Sequence, residues 1–178
     1  MSLSVELAVP VSAIDHVRGA PRARVTLVEY GDFECPNCKQ AEPVLTLLLN
    51  RYTGELRVVY RHFPLEEVHS HALYAALAAE AAAGQEKFWP THDVLFENQR
   101  HFKHSQIRGY AQRLELDMTR YDADMDDTVY LQRVREDIAG GRASGVRSTP
   151  TFFVNGSLRD VSFGPQHLAG WVEKALRG

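Results

Sequence analysis

Arg24-Val25-Thr26-Leu27-Val28-Glu29-Tyr30 leads through Gly31-Asp32-Phe33-Glu34 into Cys35-Pro36-Asn37-Cys38, and this stretch decides the fold. The first part is rich in β-branched and apolar residues and reads as a strand. Residues 31–34 form a turn. Pro36 suits the first position of a helix, where its missing N–H would be unpaired anyway. That helix is predicted to reach about residue 52, with Val44, Leu45, Leu48 and Leu49 as its inner face and Gly54 ending it. Residues 56–63 read as a second strand, stopped by Pro64. A strand–helix–strand unit implies parallel pairing through a right-handed crossover.

Working outward, residues 1–23 are a mixed leader in which Pro10, Gly19 and Pro21 break any long element. From residue 70 to about 142 the periodicity is wholly helical. Ile107, Tyr110, Ala111 and Leu114 recur at helical steps, as do Tyr121, Met125 and Thr128, with Asp117 as a cap. Strand chemistry resumes at residues 151–154. Asn155-Gly156 is a hairpin signal leading into a short strand near residues 157–161. Residues 166–177 close the chain as a helix. The predicted class is α/β: a thioredoxin-like fold, β-α-β then β-β-α, with an inserted all-helical subdomain. Residues 1–65 and 143–178 are assigned to the sheet domain. The insertion, residues 66–142, is too long to be a loop.

Composition narrows the function. With 178 residues, 44% hydrophobic and 24% charged, this is an ordinary globular chain. A net charge of −3 provides no basic surface of the kind nucleic acid requires. No apolar run approaches the roughly 20 residues that cross a bilayer. The longest candidate, residues 72–83, is alanine-rich and carries Glu80. Residues 1–10 lack a basic region and an apolar core, and Glu6 falls where a secretory segment should be greasy. The expected location is therefore cytoplasmic, or periplasmic if a signal has been removed. In a reducing cytosol, a lone cysteine pair is catalytic or metal-binding rather than a structural staple.

Cys35 and Cys38 are the only cysteines. The thiolate is the reactive species, and Cys35 stands just before the first helical turn, where unpaired N–H groups and the helix dipole favour negative charge. Cys35 is then the attacking thiol and Cys38, one turn in, the resolving one. Asn37 is neutral, so only moderate depression of the Cys35 pKa is expected. The competing reading is a non-catalytic zinc- or protein-binding module, with His62, His69 or His71 completing half a zinc site. Those spacings do not fit the usual paired-histidine helix, and Pro36 inside the motif favours redox chemistry. Glu29 lies in an otherwise apolar strand, where burying an unpaired carboxylate is costly. It is a candidate proton acceptor and donor for Cys38. Thr149-Pro150 opens the third strand; a cis bond there would present the Thr149 backbone to an extended substrate, although only about 5–6% of such bonds are cis. The sulfur chemistry needs no cofactor and no metal. The expected partners are protein or peptide thiols and disulfides with an unidentified redox partner, and neither nucleic acid nor a membrane.

These residues resemble the DsbA-like thiol–disulfide oxidoreductases. The likeness rests on Glu29, Cys35-Pro36-Asn37-Cys38, Arg61-His62-Phe63-Pro64-Leu65, Phe88-Trp89 with His92-Asp93 and Leu95-Phe96, and the run from Gly145 through Thr149-Pro150 to Gly156. It extends from about residue 15 to the C-terminus. The nearest group is the small bacterial members without a signal peptide, some of which occur as domains attached to other proteins. The resemblance implies a thioredoxin fold with an inserted helical domain. It implies that Cys35 is the exposed nucleophile, Cys38 its buried partner, Glu29 the buried acid, and Pro150 cis after Thr149. Pro36-Asn37 lacks the histidine of the strongest oxidants. His69 and His71 are assigned to capping or surface contact, His101 and His104 to a solvated loop, and Phe88, Trp89 and Phe96 to the core. The acidic run 122–127 is a face or cap, since it lacks the glycine and distal glutamate of a calcium loop.

Overall fold

Strand β2 (Val25–Gly31) is buried along nearly its whole length because it lies mid-sheet and both of its faces are covered. The computed structural model describes residues 5–162 and 164–178. After β1 (His16–Gly19) and β2 come α1 (Pro36–Arg51) and β3 (Leu56–His62). Five helices follow: α2 (Ala72–Ala83), α3 (Phe88–Glu97), α4 (His104–Arg113), α5 (Met118–Met125) and α6 (Thr128–Ala143). The chain closes with β4 (Thr151–Val154), β5 (Ser157–Arg159), a 3-10 turn (Pro165–His167) and α7 (Leu168–Arg177). The sheet order is β1-β3-β2-β4-β5. β2 and β3 are parallel, with Glu29 opposite Tyr60, and β4 runs antiparallel to β2, with Glu29 opposite Phe152. This is the α/β, thioredoxin-like arrangement that the periodicity predicts.

One strand is additional. β1 falls within the stretch read as a leader, and pairs antiparallel with β3 from His16↔Tyr60 to Gly19↔Arg57. Four residues with no sustained alternation carry too little local pattern to read as a strand. Pairing holds the segment, and so does Arg61, whose guanidinium donates to Asp15, Tyr30 and the Val9 and Pro10 carbonyls.

Strand alternation sorts the core. Leu27, Val58, Phe152 and Val154 face α1 and α7, meeting Ala41, Leu45, Leu48, Leu168 and Val172. Val28, Tyr30, Val59 and Phe153 face the opposite side with Phe63 and Val146. A third cluster joins the helical residues Ala75, Ala79, Phe88, Leu95 and Ile107 to Phe33, Cys35, Cys38 and Tyr60. The cysteine pair thus sits where the helices between β3 and β4 meet the edge of the sheet's first layer. In the β4–β5 hairpin, Asn155 (φ 48) and Gly156 (φ 86) supply the two left-handed positions of a tight turn. Asp117 caps α5 by accepting from the Arg120 amide, and Asp127 caps α6 by accepting from the Val129 amide. No described helix is long and apolar enough to cross a membrane.

Candidate active site

Cys35 is the N-cap residue of α1, with Pro36 next and no side-chain cap in place. The first amide donors of the helix are thereby left facing the Cys35 sulfur. Its pKa is brought down to about 5, foremost by a hydrogen bond from the Cys38 side chain. Burial opposes this, while Thr149 and the Asn37 and Cys38 amides help. This is lower than the neutral Asn37 suggests, because the donors come from the backbone and the second thiol instead of a cation. Asn37 itself points to solvent. Cys38 is fully buried, and burial pushes its thiol up, with the Cys35 hydrogen bond and the charge of Glu29 adding to the rise. One sulfur is thus an anion at neutral pH, and its neighbour keeps its proton.

Glu29 lies on the central strand, on the face that meets α1. It is 0% exposed, and neither carboxylate oxygen has a hydrogen-bond partner. Burial pushes its pKa well up, and the charges of Glu42 and Cys35 push it further. Its strand is central, since β3 and β4 flank β2 on both sides. A narrow cleft, with room for about one water, runs from Glu29 past Tyr60, Trp89 and Thr46 to Glu42, His92 and Arg18. Burial and the charge of Asp93 raise Glu42 to about 7, with Arg18 opposing. Its carboxylate lies 3.7 Å from His92 Nε2. Burial holds His92 neutral, near pKa 4, and its Nδ1 lies 2.9 Å from Asp93, which also accepts two hydrogen bonds from Arg18. A partly exposed carboxyl with a near-neutral pKa therefore stands between the buried Glu29 and solvent.

The Thr149–Pro150 peptide bond is cis. The Thr149 carbonyl lies 3.4 Å from Cys35 Sγ, which donates to it as a thiol. Pro36 and Asn37 are exposed beside it, and an open groove lined by Asn37, Gln40, Thr149, Pro150 and Arg159 leads away from the sulfur. The structure thus gathers Cys35, Cys38, Glu29, Pro36, Asn37, Thr149 and Pro150 at one place.

Several neighbours escape the sequence reading. Glu42, four residues beyond Cys38 on α1, looks in the sequence like any surface glutamate. Gln99 donates from one amide nitrogen to the Phe33 and Cys35 carbonyls, and nothing local marks it. His69 is no cap: its Nδ1 lies 2.7 Å from Asp32, which also accepts from the Glu34 and Leu65 amides. His104 stacks on Tyr74, with ring centroids 3.7 Å apart, so it is not simply a solvated loop residue. Of the histidines offered as zinc ligands, His62 and His69 each bond to a carboxylate. His62 shares a Glu80 oxygen with His16, and among the described residues neither cluster able to hold a metal includes a cysteine.

The profile of the thioredoxin family matches residues 12–174. The fold is that of the DsbA-like thiol–disulfide oxidoreductases. The chain belongs to the thioredoxin family. It is similar to a thioredoxin-like oxidoreductase from Silicibacter pomeroyi, with a TM-score of 0.83 and 26% identity, covering 94% of this chain and 95% of that one. Oxidised BdbD from Bacillus subtilis superposes with a TM-score of 0.83 at 22% identity, covering 98% and 99%. In sequence, the chain is 46% identical over 175 residues to a Na(+)/H(+) antiporter NhaA 1 from Salinispora arenicola, covering 98% of this chain and 27% of that protein. The chain spans about a quarter of the length of the curated relatives it matches first.

Proposed function

We propose that this chain is a thiol–disulfide oxidoreductase that exchanges disulfides with protein or peptide thiols through Cys35 and Cys38, without metal or organic cofactor. The observation that carries the reading is the Cys35 anion held beside the protonated, buried Cys38, above a carboxyl with no partner. In the reducing direction the Cys35 thiolate attacks one sulfur of a substrate disulfide and the other leaves as a thiolate. Cys38 then loses its proton to Glu29 and attacks Cys35 Sγ. The second substrate sulfur leaves, so the substrate gains two electrons and the pair closes as a disulfide. In the oxidising direction a substrate thiolate attacks Cys35 Sγ and Cys38 leaves, taking a proton from Glu29. A second substrate thiolate then frees Cys35.

Glu29 suits both directions because Cys35 governs it. While the Cys35 thiolate is present, its charge helps keep the carboxyl protonated. Once Cys35 is in a mixed disulfide that charge is gone, and the carboxyl is freer to ionise and accept the Cys38 proton. Glu42 offers the proton a route outward. The Thr149 carbonyl and the groove beside Pro150 supply backbone for an extended substrate segment, with Pro36 and Asn37 forming the rim. We assign residues 1–65 and 143–178 to the domain that carries this chemistry, with residues 66–142 an inserted helical subdomain covering the cysteines.

A thiolate pKa of about 5 lies between those of thioredoxin, about 7, and DsbA, about 3.5. Stabilising the reduced form makes the disulfide a better oxidant, so the potential should fall between about −270 and −120 mV. Against a cytosolic poise of about −220 to −320 mV such a pair stands largely reduced. In an oxidising compartment it would donate its disulfide. The antiporters similar to this chain are much longer, and the residues of this chain suit sulfur chemistry. Equilibration against a glutathione series, with the oxidised fraction read by mass, tests the reading: one two-electron transition in that window is expected. Stoichiometric bound zinc with thiols resistant to alkylation would favour the binding-module alternative.

A further inference from the structure

The bend that enters α1 is gripped from two sides. On the sheet side, Asp32 accepts from the Glu34 and Leu65 amides, and its carbonyl accepts from the Cys35 amide at 3.0 Å. On the other side, Gln99 reaches in from the turn after α3, and its Nε2 donates to the Phe33 carbonyl at 2.8 Å and the Cys35 carbonyl at 2.9 Å. Only the amide nitrogen can serve two carbonyls, so the partners determine which way the amide faces. The same seam is crossed by Lys39 Nζ, which donates to the Glu97 carbonyl.

We propose that Gln99 is a positioning residue for the redox cysteine, and that through it the helical insertion sets how firmly Cys35 is held as an anion. The inference rests on the thiol–disulfide reading above and adds to it a specific control. Carbonyl oxygens carry negative charge, and two of them border the residue whose sulfur must also be negative. The N–H groups of Gln99 offset part of the charge on those oxygens, of which the Cys35 carbonyl also accepts from the Lys39 amide, while the amide donors of the first helical turn stay aimed at the sulfur. The titratable groups acting on Cys35 are Cys38 from α1 and Glu29 from β2, and Thr149, before β4, is its remaining polar neighbour. Gln99 is the contribution of the insertion, and it acts as a dipole rather than a charge.

The test is an ultraviolet thiolate titration of the reduced full chain, with iodoacetamide alkylation rates across pH. Gln99→Leu removes the donors and should raise the Cys35 midpoint by about half to one unit. Gln99→Glu sets an acceptor against two acceptors and should raise it further. Midpoints unchanged in both variants, with only a lower melting temperature, would reduce Gln99 to a structural clamp and overturn the proposal. In the unaltered protein the Gln99 side-chain amide resonances should titrate with the Cys35 midpoint, which keeps the question answerable if a variant does not fold; no movement counts against the inference. An unaltered midpoint near that of a free thiol would instead defeat the redox reading itself.

Discussion

Glu29 and Glu80 are both buried carboxylates, 0% and 4% exposed, yet the molecule treats them in opposite ways. Glu80, on α2, accepts from His16 at 2.7 Å and His62 at 2.8 Å through one oxygen. Against the pull of burial, those bonds hold its carboxyl well below the usual carboxylate range. Glu29, on β2, has no hydrogen-bond partner, and burial raises it. One joins α2 to the sheet edge through hydrogen bonds with His16 and His62; the other stays uncompensated beneath the cysteines. Burial is common to both, so partners decide the charge state. A fold seldom leaves both oxygens of a buried carboxyl unsatisfied, and Glu29, where this happens, lies within electrostatic reach of the reactive sulfur.

The contrast can be broken most severely at the sulfur. Cys35→Ser should cut reduction of a disulfide-bonded peptide by at least about 1,000-fold, since the remaining thiol, Cys38, is buried and holds its proton. Surviving turnover would defeat the assignment of the nucleophile. Glu80→Ala strikes the other side. Leaving the buried His62 and the half-buried His16 without their acceptor should cost about 3–5 kcal/mol in urea unfolding, with thiol reactivity kept under folding conditions. A loss under 1 kcal/mol would mean that the network is idle.

Glu29→Gln should leave the fold at least as stable and slow the resolution of a trapped mixed disulfide by about 100-fold, measured by quenched flow. Unchanged resolution would make Glu29 a burial accident. The two carboxyls should also oppose each other in pH. An unfolded Glu titrates near pH 4.3. Native Glu29 keeps its proton above that, so the native state binds more protons and stability falls as pH rises through this window. Native Glu80 stays ionised below it, so its contribution is present above about pH 4.3 and is lost as pH falls. Urea midpoints across pH should lose the first slope in Glu29→Gln and the second in Glu80→Gln. The smallest effect belongs to Glu42→Gln. It should slow resolution by about 3- to 10-fold and shift its pH profile away from neutrality, because a side chain with a pKa of about 7 is removed from the outward route. An unaltered profile would close that route.

Much of the fold is legible in the chain. β2, α1, β3 and β4 begin and end within about two residues of the sequence reading, because each carries its own periodicity and punctuation. β1 does not, since its pairing with β3 supplies what its own residues lack. The site divides in the same way. Cys35, Cys38 and Glu29 stand out as anomalies of composition in their own elements. Glu42, His92 and Gln99 look ordinary where they occur, and acquire a role only from what α1 and α3 place beside them. The helical block is legible as helices, but no helical pattern says that its core reaches the cysteines.

The amino-acid order alone settles every element except β1, the alternation of the sheet and the placing of two thiols one helical turn apart. These follow from interactions over a few residues, where spacing and backbone geometry leave little choice. The tertiary structure alone decides which carboxyl finds a partner, which isomer Pro150 takes, and how far Cys35 ionises. Those outcomes turn on water removed and on charges brought close from distant parts of the chain, and no local pattern encodes either.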